Sequence, residues 1–119
     1  MARMHFELTG GGDDLLVLLH GLGATGSIWS PFVDAAPQHW TGRILVVDLP
    51  GHGGSDRLAH YDMPSVVRNV AAVIDDNRSS AGSLRILGHS YGGALALELA
   101  NAYPGASLEG PSPDFIYGL

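Results

Sequence analysis

Three short, largely apolar runs organise the chain: Leu15-Leu16-Val17-Leu18-Leu19, Ile44-Leu45-Val46-Val47 and Leu84-Arg85-Ile86-Leu87. Runs of four or five bounded by turn residues mark strands covered on both faces, as in a parallel sheet. A looser alternation over Met4–Thr9 predicts a first strand, closed by Gly10-Gly11-Gly12-Asp13-Asp14. Between the runs the period changes from strand to helix. Val66, Val67, Val70, Val73 and Ile74 fall on one face of a helix over Pro64–Asn77. A short helix is expected from Ser27 as N-cap, tolerating Pro31 and stopped by Pro37, and an Ala- and Leu-rich helix over Ala94–Tyr103, stopped by Pro104.

Strand, loop and helix thus recur three times. This alternation predicts an α/β fold: a mostly parallel sheet with helices on both faces. The pattern occupies residues 1–104. Residues 105–119 contain Pro111 and Pro113, have no apolar period, and read as an irregular tail without a further buried strand.

Composition narrows the function. With 119 residues there is room for one small domain. Six basic residues, all arginine, face twelve acidic ones for a net charge of −6, which argues against nucleic acid and anionic membrane as partners. No cysteine is present, so a thiolate nucleophile and a disulfide framework are excluded. The six histidines are scattered without ligand spacing, and neither a metal nor a cofactor is expected. The N-terminus has no apolar stretch of the kind a secretory signal needs, so a cytoplasmic location is the expectation.

The glycines carry the chemistry. Gly88-His89-Ser90-Tyr91-Gly92 matches G-x-S-x-G, in which a strand reverses into a helix and a strained Ser projects above the sheet. Gly88 and Gly92 let the two backbones approach. After the first buried strand comes His20-Gly21-Leu22-Gly23, and after the second Asp48-Leu49-Pro50-Gly51-His52-Gly53-Gly54-Ser55. Both loops lie at the C-terminal edge of the sheet, where open α/β sheets place ligands. His20 and His52 are candidate bases, but each is better read as a histidine that orders its own loop.

A competing reading uses the same residues. Gly21-Leu22-Gly23-Ala24-Thr25-Gly26 is a literal G-x-G-x-x-G, with Asp48 standing where a ribose-binding acid would. Three features count against a dinucleotide site: His20 ahead of the glycines, Pro31 in the helix that follows, and the elbow at Ser90.

HGLGATGSIW, DLPGHGGSD and LGHSYGGALALELA, in this order and spacing, resemble the N-terminal half of an α/β-hydrolase-fold serine hydrolase. The nearest likeness is to the esterase, enol-lactonase and perhydrolase branch, and it covers about Phe6 to Pro104. A Ser at the elbow, rather than Asp, argues against the dehalogenase and epoxide-hydrolase branches. The resemblance implies attack on a small carboxylic ester or lactone by Ser90 through an acyl-serine, with the Leu22 and Tyr91 amides as oxyanion hole. His20, Gly21, Gly23, Asp48, Gly51, Gly53, Gly88 and Gly92 would be its structural motif residues.

It also implies a triad in the order Ser, acid, His. Yet His5, His20, His39, His52, His60 and His89 all precede Ser90, and the only later acids are Glu98, Glu109 and Asp114. The expectation is a truncated and inactive or weakly active hydrolase, with a non-catalytic fragment as the alternative. Without later strands, Leu84–Leu87 would be an open apolar edge and a template for self-association.

Overall fold

The computed structural model describes residues 2–103 and a strand at Phe115–Ile116. Its sheet contains β1 (Phe6–Gly10), β2 (Leu15–Leu19), β3 (Arg43–Val47), β4 (Leu84–Gly88) and β5 (Phe115–Ile116), in the order β1-β3-β2-β4-β5. β1 runs antiparallel to β3 and every other pairing is parallel. The helices are α1 (Ser30–Ala35), α2 (Met63–Asn77) and α3 (Tyr91–Ala102). The expected α/β architecture with a mostly parallel sheet is the one observed.

The apolar runs are strands because both their faces are covered. Leu15, Val17, Leu19, Leu45, Val47, Leu84 and Ile86 pack under Val66, Val70, Val73 and Ile74 of α2 and Leu95, Ala96 and Leu99 of α3. On the other face, Leu18, Ile44, Val46 and Leu87 meet Trp29 and Ala36, with Val33 and Trp40 at the margin. Asp62 caps α2, its carboxylate accepting from the Ser65 amide at 2.9 Å, and Pro64 sits in the first turn. No helix among the described residues is long and apolar enough to cross a membrane.

Four expectations need correction. β1 starts two residues later than the alternation suggests, at Phe6, where pairing with Val47 begins. The helix placed at Ser27 is a 3₁₀ turn, Gly26–Trp29, capped by Thr25, and α1 begins only at Ser30. The turn is tight because the Gly26 amide is drawn 2.7 Å from the Asp48 carboxylate. α3 begins at Tyr91 rather than Ala94, so two glycines of poor helix propensity form its first turn. They are tolerated because that turn lies against the backbone at the end of β2, as described below. Finally, the outer edge of β4 is not bare: Phe115 and Ile116 pair with Ile86 and Leu87, within the segment read as strandless. Glu109 and Asp114 lie outside the described residues.

The topology fixes where a site can form. β2 leads through α1 to β3 on one side, and β3 leads through α2 back across β2 to β4 on the other. α1 and α3 therefore cover opposite faces, and the loops leaving β2 and β4 part company at their C-terminal ends. Such a switch point leaves a crevice outside the carboxyl edge.

Candidate active site

Ser90 occupies the bend between β4 and α3 with φ 58° and ψ −118°, and it alone among described non-glycine residues has a positive φ. A non-glycine backbone there costs on the order of 1–3 kcal/mol and persists only where its surroundings impose it. The surroundings do so by close approach. A Cβ at Gly88 would collide with the backbone of Gly92 and Gly93, and a Cβ at Gly92 with the carbonyls of Leu19 and His20. Strand, bend and helix are thus compressed until the intervening Ser is forced outward. It is exposed, and its hydroxyl has no hydrogen-bond partner among the described residues.

Beside the bend runs the loop from β2. A Cβ placed on Gly21 would lie 3.2 Å from the Ser90 Cβ, so this loop abuts Ser90 directly. The Ala24 amide donates to the Gly21 carbonyl at 3.2 Å and Gly23 has φ 79°, the arrangement of a type II turn with Leu22 and Gly23 at its centre. Leu22 is 68% exposed. Neither the Leu22 amide nor the Tyr91 amide donates to an acceptor among the described residues. Tyr91 is the first residue of α3, whose N–H has no intrahelical partner and carries the positive end of the helix dipole. Leu22 and Tyr91 also line one cleft of about 250 Å³, together with Leu49, Pro50, His52 and Tyr61.

The loop from β3 supports the loop from β2. Asp48 is buried, one carboxylate oxygen accepting from Gly26 at 2.7 Å and the other from Gly54 at 3.0 Å. Its carbonyl accepts from the Ser55 hydroxyl at 2.6 Å. Asp48 is thus turned into the protein and ties two loops together, rather than facing out of the crevice where the dinucleotide reading of Gly21–Gly26 needs a ribose-binding acid. His20 is fully buried: Nε2 accepts from the Leu49 amide at 3.0 Å, which leaves Nδ1–H to donate to the Gly21 carbonyl at 2.7 Å. Burial holds its pKa below the usual histidine value, although the Gly21 carbonyl opposes that shift. His52 is bonded in parallel fashion, Nε2 accepting from Gly23 at 3.0 Å and Nδ1–H donating to the Pro50 carbonyl at 3.0 Å. The two rings lie 5.1 Å apart. Gly51 and Gly53 have positive φ and turn this loop.

The structure therefore brings Ser90, Leu22 and Tyr91 to one edge, with His20, Gly21, Gly23, Asp48, Gly51 and Gly53 behind them. It does not bring a histidine to Ser90. His89 lies beside Gly21, and no described histidine hydrogen-bonds the Ser90 hydroxyl. Glu98 is exposed on α3. The sequence reading missed the bond from Gly23 to His52, which joins positions 29 residues apart and leaves no local signal.

The model of the alpha/beta hydrolase family matches residues 16–117. The chain belongs to that family. Over 119 aligned positions it is 35% identical to a pimeloyl-[acyl-carrier protein] methyl ester esterase of Stenotrophomonas maltophilia, covering 97% of this chain and 42% of that protein. Among solved structures, a marine microorganism esterase superposes with a TM-score of 0.76 at 25% identity, over 87% of this chain and 38% of that one. Est816, described as an N-acyl homoserine lactone degrading enzyme, superposes with a TM-score of 0.72 at 29% identity, over the same 87% and 38%. The chain spans 36% to 43% of the length of the curated relatives it matches.

Proposed function

We propose that the chain carries the nucleophile and oxyanion hole of a serine hydrolase acting on a small carboxylic ester or lactone. The backbone of Ser90, forced to positive φ where β4 reverses into α3, carries this reading. The Ser90 oxygen bonds to the substrate carbonyl carbon while the carbonyl π pair moves onto oxygen, where the Leu22 and Tyr91 amides receive the charge. Collapse of that alkoxide breaks the bond to the leaving oxygen and leaves an acyl-serine, which water opens by the same steps. The hydroxyl proton must pass to a base and then to the leaving oxygen. His20 and His52 have both ring nitrogens bonded to backbone groups, and no described histidine hydrogen-bonds the Ser90 hydroxyl, so the base is assigned to polypeptide beyond these 119 residues.

The 119-residue chain alone is then inactive or nearly so, since losing triad members costs about 10⁴–10⁶ in rate in well-studied hydrolases. Little turnover of p-nitrophenyl acetate is expected, and scarcely any labelling of Ser90 by a fluorophosphonate. Turnover at ordinary esterase rates that disappears in Ser90→Ala would mean that a histidine within this chain is the base. Reading the gene downstream provides the complementary test. It should encode an acid after a later strand and a histidine near the end, and the extended chain should label strongly at Ser90. Esterase and lactone-degrading relatives support both substrate classes, and a panel of short-chain esters and lactones separates them.

A further inference from the structure

The Gly23 amide, at the centre of the turn that carries Leu22, bonds to the imidazole of His52 from a different loop. In a type II turn the central peptide is held in one of two orientations, related by a flip that trades the positive φ of the third residue for a negative one. Glycine permits both, so Gly21-Leu22-Gly23-Ala24 does not choose between them by itself. The acceptor nitrogen of His52 makes the choice. Its Nδ1–H is committed to Pro50, which fixes the tautomer and leaves Nε2 as a lone-pair acceptor facing Gly23. The peptide immediately before it, joined to it through the Leu22 Cα, is the one whose N–H belongs to Leu22.

We infer that His52 is a positioning residue of the oxyanion hole: it locks the Leu22–Gly23 peptide and thereby aims the Leu22 amide. This rests on the hydrolase reading for its purpose but not for its geometry. His20 serves a different end, because it bonds the Gly21 carbonyl and the Leu49 amide from within the core, and its contacts anchor the base of the turn rather than its tip. His52 is only partly buried and lines the cleft itself, so its removal alters the tip without opening the core.

The test compares His52→Ala with His52→Gln in the ¹⁵N-labelled chain, because a glutamine can place an amide oxygen near the position of Nε2. In His52→Ala the Gly23 amide is expected to exchange at least about tenfold faster and the Leu22 amide resonance to shift, while amides of α3 keep their protection. His52→Gln should return both signals toward those of the parent. A second readout is the slow phosphorylation of Ser90 by diethyl p-nitrophenyl phosphate over long incubation. It should fall about tenfold in His52→Ala and recover in His52→Gln. Unchanged Gly23 exchange and Leu22 shift in His52→Ala would overturn the proposal, as would equal loss in both variants with α3 intact. If the chain extended by its downstream sequence is never phosphorylated at Ser90, the hydrolase reading fails, and the two amide signals alone decide the role of His52.

Discussion

The two sides of the crevice are built differently. On the side of β2 and β3, the described bonds of Asp48, His20 and His52 all run to backbone amides and carbonyls of the two loops. On the side of β4, Ser90 is exposed, strained in its backbone and unbonded at its hydroxyl among the described residues. One side uses its polar side chains to hold shape, while the other keeps a side-chain hydroxyl free of bonds among the described residues. A hydrolytic site needs both, since an oxyanion hole works by being fixed in advance and a nucleophile by being free to react.

The contrast breaks most severely at Asp48. Asp48→Ala removes one acceptor from two amides at once and leaves them facing protein, so a loss of roughly 3–5 kcal/mol is expected. Urea denaturation measures it, and a loss below about 1 kcal/mol would mean that the two loops are held together by something else. The opposite sign is expected at the bend. Ser90→Gly relieves the positive φ but loosens the unfolded chain, so stability should stay level or rise by up to about 1 kcal/mol. A clear loss of stability would show that the serine side chain supports the fold.

The smallest effect concerns pH and sharpens the role of His20. Its folded-state pKa lies below the ordinary value of 6.5, chiefly because it is buried. Protons then bind the unfolded chain preferentially, so its contribution is intact above 6.5 and declines as the pH falls toward the lowered folded-state pKa. The melting temperature should drop between pH 7.5 and 5.5. In His20→Gln, less stable at pH 7.5, the drop should be shallower; identical slopes would remove His20 from the account.

Much of this was legible before any coordinates. Leu15–Leu19, Ile44–Val47 and Leu84–Leu87 are apolar without interruption or nearly so, and burial on both faces leaves no other use for them. The glycines around Ser90 were legible because close backbone approach excludes every other residue type. What escaped was tertiary in origin. The 3₁₀ turn at Gly26 depends on a carboxylate 22 positions away, and the early start of α3 depends on carbonyls of β2 rather than on helix propensity. β5 is two residues long, too short for any period to register.

The strand order also dictates a schedule for assembly on the ribosome. β2 can pair with β3 once the first helix and strand have emerged, but its other edge must wait for β4, whose first residue lies 69 positions after Leu15 in the register Leu15↔Leu84. At ordinary translation speeds that leaves one side of an apolar central strand unpaired for a period on the order of seconds. The same event that ends this exposure, docking of β4 alongside β2, brings Gly92 against the carbonyls of Leu19 and His20 and drives Ser90 into its strained bend. Pairing β4 with β2 and forming the strained bend at Ser90 are a single step, so a chain stalled before β4 docks has neither.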